Sequence, residues 1–226
     1  MEVCAVVMAA GDGKRMHSKH SKVVHQVAGK PIIQWVADAL CEAGCTEQVY
    51  IVGEKQEEIR NVLGESVAYV FQEQRLGTGH AVMQATPFLE GRSGYTVVLP
   101  GDSPMVSAKT INEALKIASA NENYAAVLIT AKAPNPAGYG RIIRNSDGNV
   151  AKIVEDRDAS PEEKLLLAIF GEKSREVKDN SLNITLLRSF GILSKRRLAL
   201  RAFAASVPIS MRFTGLVRLR NSRVPI

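Results

Sequence analysis

The segment M-A-A-G-D-G-K-R-M, residues 8–16, sets small residues at positions 9, 10, 11 and 13 beside two cations, Lys14 and Arg15. Backbone N–H groups bare of bulky side chains can close on a polyphosphate, and a guanidinium can grip one with two parallel hydrogen bonds. The third glycine of a dinucleotide fingerprint is missing, because Met16 stands there, and so is the G-K-T or G-K-S ending of a P-loop. Taken alone, a structural glycine turn is the simpler account of this spacing.

Five other segments carry polar chemistry. Lys22 in S-K-V-V-H follows the glycine turn closely enough for a flexible ammonium to reach a phosphate, although a lone lysine is more often solvated. His25 in the same segment suits an ordinary polar role better than that of a catalytic base. Q-E-Q-R-L-G-T-G-H-A, residues 72–81, places an amide, Gln72, before Gly77, Thr78 and Gly79. An amide matches the mixed donor and acceptor edge of a base; the plainer reading is a softened helix start capped by Thr78. L-P-G-D-S-P, residues 99–104, puts Gly101 and Asp102 past an apolar run, where a carboxylate can hold Mg²⁺ or simply shape a turn. G-Y-G-R, residues 138–141, and Glu155 offer a close backbone approach at Gly140 and a hydrogen-bond acceptor suited to sugar hydroxyls; both also fit loops.

These segments need a scaffold. Short apolar runs at 3–9, 48–52, 67–71, 95–99 and 125–131 read as buried strands, with later strands at 141–143 and 150–154. Helical patterning covers 31–43, 55–63, 78–85 and 108–120, the first opened by Pro31 and closed by Gly44. The alternation predicts an α/β fold: a Rossmann-like, mostly parallel sheet with helices on both faces. Ligands of such sheets gather at the carboxyl ends of strands. The segments 9–16, 72–79 and 101–102 all fall there, so a single site is expected.

Composition narrows the function classes. The chain is 46% hydrophobic and 23% charged, which is ordinary for a globular protein. Its net charge of +6 is not spread evenly. All 23 acidic residues but only 20 of the 29 Lys and Arg precede residue 180, leaving the body mildly acidic and without a nucleic-acid-type face. Residues 180–226 hold nine Lys and Arg and no carboxylate. The three cysteines, Cys4, Cys41 and Cys45, lack metal-type spacing and suit reduced thiols. No signal peptide is recognisable and no apolar run reaches membrane-spanning length, so a cytoplasmic protein without membrane partners is expected.

In order along the chain, the segments resemble the sugar-1-phosphate nucleotidyltransferase family, and in particular the uridylyltransferase domain of bacterial N-acetylglucosamine-1-phosphate uridylyltransferase. That family reads L-A-A-G-x-G-T-R-M, P-K-V-L-H, Q-x-x-Q-L-G-T-x-H-A, G-D-x-P-L, P-x-G-Y-G-R-I and I-V-E-x-x-D-A. Counterparts of all six appear here over residues 3–163. The resemblance implies the nucleotide-diphospho-sugar transferase type of sheet. It implies UTP and N-acetylglucosamine 1-phosphate as substrates, with Mg²⁺ as cofactor. Met8, Ala9, Ala10, Gly11 and Gly13 would line the nucleotide, and Arg15 and Lys22 would stabilise charge during the reaction. Gln72, Gly77 and Thr78 would read the uracil. Gly101 would flank the metal ligand Asp102, and Gly140 and Glu155 would hold the sugar.

Departures set the limits of the resemblance. Ser21 replaces a proline, which predicts a looser loop, and Pro100 brings a residue without an N–H beside Gly101. The family's later asparagines, one for the sugar and one for the metal, have no recognisable counterpart after about residue 165. The nucleotidyltransferase domain, 1–163, is thus incomplete on its C-terminal side, and 164–226 is a basic, atypical tail. Three readings account for that composition: a basic appendage for an acidic partner or membrane surface, a segment whose original sequence was lost after about residue 165, and an ordinary solvated tail. A lost sequence predicts that 180–226 packs poorly on the core, and burial of Leu198, Phe203, Val207 and Phe213 against the sheet would defeat it. No hexapeptide repeat appears, so acetyl transfer is not expected. The functional alternatives are transfer to another sugar phosphate or from another nucleotide, and nucleotide binding without turnover.

Overall fold

The computed structural model describes residues 2–11, 13, 16–120, 124–131, 137, 139–146, 150–154, 156, 158–163, 182–188 and 215–219. The elements are β1 (Val3–Met8), a 3-10 turn (Lys22–Val24), β2 (Gln26–Val27), β3 (Lys30–Pro31), α1 (Ile32–Glu42), β4 (Glu47–Val52), α2 (Gln56–Leu63), β5 (Ala68–Phe71), α3 (Thr78–Gln84), α4 (Thr86–Leu89) and β6 (Gly94–Pro100). They continue with α5 (Ala108–Ala120), β7 (Tyr124–Ala131), β8 (Arg141–Arg144), β9 (Val150–Val154), β10 (Leu182–Arg188) and β11 (Gly215–Leu219). The helices and strands expected from periodicity are all present, with ends moved by a residue or so.

Seven strands form the main sheet in the order β10-β7-β11-β6-β1-β4-β5. Parallel pairing joins β6 to β1, β1 to β4 and β4 to β5. Strand β11 runs antiparallel between β6 and β7, and β10 lies antiparallel on the far side of β7. The mostly parallel α/β sheet is therefore as expected. Two segments of the basic tail are strands within it. Leu198, Phe203, Val207 and Phe213 lie outside the described residues.

Alternation along each strand builds a core on both faces. Ala5, Val7, Tyr50, Val52, Val97 and Leu99 cluster with Ile33, Val36 and Leu40 of α1 and with Ile111 and Leu115 of α5. Cys4, Val6, Val49, Ile51 and Val98 instead join Ala81, Val82, Ala85 and Leu89, on α3, α4 and the link between them. Double-faced burial is why these strands read as continuous apolar runs rather than as alternating ones. Helix α1 ends as its glycine implied: Gly44 has φ +84, its N–H reaches the Cys41 carbonyl at 2.9 Å, and the Cys45 N–H reaches the Leu40 carbonyl at 2.9 Å. This is a Schellman cap.

The small hairpin β2–β3 is not legible in the sequence. Its turn puts Ala28 at φ 51 beside Gly29 at φ 77, and alanine gives no signal for a left-handed turn position. No described helix is long and apolar enough to cross a membrane.

All three cysteines are free; Cys41 is exposed while Cys4 and Cys45 are buried. Burial pushes the Cys45 thiol up to about 12 and raises that of Cys4. The thiolate is the reactive form, so iodoacetamide at neutral pH is expected to label Cys41 in the native protein and the other two only after unfolding. Peptide mass mapping checks this.

Candidate active site

The glycine turn grows directly out of the sheet. Ala9 continues the β1 pairing by donating its N–H to the Ile51 carbonyl of β4 at 2.8 Å. On the other side, the Gly101 N–H donates to the Met8 carbonyl at 2.8 Å. Pro100, paired opposite Met8 in the ladder, lacks an N–H, and Gly101 supplies one at the next residue. Ala9 and Ala10 are buried, Met8 is half-buried and Gly11 is exposed.

Two glycines allow the crowding at this junction. A Cβ on Gly101 would stand 2.8 Å from Ile33 Cδ1 and 3.2 Å from the Met8 carbonyl oxygen. One on Gly53, past the end of β4, would stand 3.1 Å from the Ala10 carbonyl oxygen. A shallow, open depression lies against Ala9, Ala10 and Gly11, walled by Gly53, Ser21 and Arg75. Gly53 and Arg75 were not singled out from the sequence. A glycine directly after an apolar strand is the signal that could have flagged the first.

Lys22 enters from the 3-10 turn and forms an ion pair with Asp102, which follows β6. Both side chains are largely shielded, at 23% and 15% exposure. Gly13, at φ +60, makes room for the lysine stem, since a Cβ there would lie 2.7 Å from Lys22 Cβ. The loop is held rather than loose. Ser21 is buried, and its N–H donates to Glu58 Oε2 of α2 at 2.6 Å, while His20 Nδ1 sits 3.4 Å from the same carboxylate. The proline expected at position 21 could not donate this bond, so the departure from the family pattern brings its own anchor. His25 has its Nε2 buried without a hydrogen-bond partner among the described residues.

Gln72 is buried at the end of β5, with its N–H on the Val52 carbonyl at 2.8 Å. Its side-chain amide lies 3.0 Å from His80 Nδ1, and His80 Nε2 lies 3.1 Å from the Gln84 amide. Both contacts run through the amide Nε2 atoms, whose N–H groups can donate to a ring nitrogen that carries no proton. The bridge orients Gln72 from α3. Gly77, at φ 100, precedes the helix, and no side chain caps it. Thr78 is therefore not the capping residue of the plainer reading. Its Oγ1 is buried with no hydrogen-bond partner among the described residues.

Gly140 is half-buried between the exposed Tyr139 and the buried Arg141. Arg15 and Glu155 lie outside the described residues, as do Lys14 and Gly138. No group of three or more His, Cys, Asp and Glu side chains gathers among the described residues. Magnesium needs no such cage. It keeps several waters and takes one or two carboxylates together with substrate phosphates. A largely shielded carboxylate beside a turn of small residues fits that habit.

The sequence profile of the MobA-like NTP transferase domain family matches residues 5–160. The bifunctional protein GlmU of Acetivibrio thermocellus is 50% identical over 160 residues, covering 71% of this chain and 34% of that protein. That of Thermoanaerobacter pseudethanolicus is 48% identical over 159 residues, covering 70% and 34%. The chain thus spans about a third of the length of these curated relatives. Among solved structures, a UDP-glucose pyrophosphorylase from Acinetobacter baumanii superposes with a TM-score of 0.55 at 20% identity, covering 69% of this chain and 68% of that one. A putative glucose-1-phosphate thymidylyltransferase from Bacillus anthracis gives 0.57 at 19% identity, covering 82% and 71%. These two share the fold.

The left-handed backbone of Gly13 and its contact with Lys22 make Gly13→Ala informative. It is expected to destabilise the protein by about 1–2 kcal/mol, measured by urea denaturation. A variant as stable as wild type would show that the turn yields easily.

Proposed function

The chain belongs to the MobA-like NTP transferase domain family, and we propose that it transfers UMP from UTP to N-acetylglucosamine 1-phosphate, yielding UDP-N-acetylglucosamine and pyrophosphate. The observation that carries this reading is the shielded Lys22–Asp102 pair beside the glycine turn. It presents a cation from the 3-10 turn and an anion just past β6, the complement of a triphosphate and its metal. The orphaned hydroxyl of Thr78 adds support. A buried hydroxyl without a partner is costly, and a base edge set against Gln72 and Thr78 would relieve it.

In the proposed mechanism, backbone N–H groups of the glycine turn receive the phosphates. Lys22 exchanges the Asp102 carboxylate for a phosphate oxygen, which leaves neither side chain as an isolated buried charge. Asp102 would hold Mg²⁺, and the metal would supply charge neutralisation. The sugar phosphate oxygen attacks the α-phosphorus in line, that bond forming as the bond to the leaving pyrophosphate breaks. Lys22 and Arg15 offset the developing negative charge. No protein nucleophile is required. Gly140 and Glu155 are assigned to the sugar, on the strength of the motif resemblance. Growth of cell-wall precursors would consume the product, and the reaction belongs in the cytoplasm.

Pyrophosphate release measured with UTP, N-acetylglucosamine 1-phosphate and Mg²⁺ tests the reading. Asp102→Asn is expected to lower that release by about 100-fold or more. Parallel assays with CTP, dTTP and other sugar phosphates establish the pair of substrates. UTP-dependent thermal stabilisation without pyrophosphate from any acceptor would instead make the chain a nucleotide-binding relative.

Thr78→Val separates the nucleotide assignment from folding. It removes an unpaired hydroxyl at almost constant shape, so the stability of the free protein should hold or rise. UTP binding, followed by calorimetry, should weaken by about two- to tenfold. Unchanged binding would remove Thr78 from the nucleotide site.

A further inference from the structure

Arg141 opens β8 and is buried, at 3% exposure. It belongs to a small separate hairpin, β8–β9, whose register sets it opposite Val154. Ile153 ties the hairpin to the rest of the protein, packing against the core face that includes α3 and α4, and Val150 is buried. A guanidinium cannot lose its charge on burial and needs fixed partners. Arg141 Nη2 lies 2.9 Å from Asp156 Oδ1, and Nη1 donates to the Tyr139 carbonyl. One planar group thus bridges the residue before Gly140 and a residue two positions past the end of β9. A lysine, with a single ammonium, could not span both with the same geometry.

We propose that Arg141 is a positioning residue for the acceptor side of the site: it ties the Tyr139 carbonyl to the Asp156 carboxylate and so fixes the Gly140 backbone where the sugar phosphate docks. This rests on the assignment of Gly140 to the sugar made above. The bridge lies in the hairpin, whereas the glycine turn, Lys22, Asp102 and Gln72 are held by the main sheet and its helices. Loosening the bridge therefore acts on acceptor binding and leaves nucleotide binding alone.

The test uses the full chain with two substitutions, Asp156→Asn and Arg141→Lys. The first is the milder, because Asp156 is part-exposed and keeps its shape. Binding of N-acetylglucosamine 1-phosphate is followed by saturation-transfer NMR in the presence of a non-hydrolysable UTP analogue. KM for each substrate and kcat come from pyrophosphate release. Both variants are expected to raise the acceptor KM by about ten- to hundredfold, while UTP affinity stays within about twofold. Equal losses for both substrates, or a loss of thermal stability with acceptor KM unchanged, would make the bridge merely structural and overturn the inference. Acceptor binding by Asp156→Asn equal to that of wild type would overturn it as well. Wild-type protein that binds no sugar phosphate would overturn the reading of the preceding subsection, and the inference with it.

Discussion

Two backbone hydrogen bonds carry the site. Ala9 N–H to the Ile51 carbonyl and Gly101 N–H to the Met8 carbonyl extend the sheet ladder past the end of β1 on both sides. The glycine turn is therefore a continuation of a pinned central strand rather than a free loop. The small residues at this junction have two separate tasks. Gly101 and Gly53 let neighbouring backbones pack against the turn, while the alanines fill the narrow space at its base. A larger residue at any of these points would push the turn off the ladder that holds it.

The charged part of the site depends on that rigidity. Lys22 and Asp102 meet because the 3-10 turn lies against the glycine turn and Gly13 leaves room for the lysine stem. The 3-10 turn is held in its turn by Glu58, through the Ser21 N–H. A shielded ion pair is weak evidence of stability, because desolvation opposes the Coulomb attraction. Here it sets two opposite charges beside the glycine turn, where the proposed mechanism has them exchange partners with a charged ligand. Gln72 is placed separately, by the β4–β5 pairing and by His80 from α3.

Membership of the MobA-like NTP transferase domain family rests on residues 5–160. The remaining chain contributes β10 and β11, which join the sheet on the β6–β7 side, away from the β1–β4–β5 ends that carry the glycine turn and Gln72. The proposed acceptor side is the less complete half. Arg141 opens the β8–β9 hairpin directly after Gly140, whereas the asparagines that the motif resemblance would assign to the sugar and the metal have no recognisable counterpart in the sequence.

Much of the scaffold is legible in the sequence because it is local. Apolar runs of strand length, helical periodicity, Pro31 and Gly44 each act over a few residues, and they mark the elements to within a residue or so. The expectation that 9–16, 72–79 and 101–102 share one end of a parallel sheet also follows from the order of those elements. Long-range partners are another matter. Lys22 and Asp102 are 80 residues apart, Ser21 finds Glu58 on α2, 37 residues on, and Arg141 finds Asp156 across a hairpin. Each residue alone reads as an ordinary surface or loop residue, and its partner is chosen by strand order and register. The sequence by itself determined the α/β scaffold and the glycine turn. Only the tertiary structure decided which charges meet, because such pairing depends on how elements stack and no periodicity along the chain encodes that stacking.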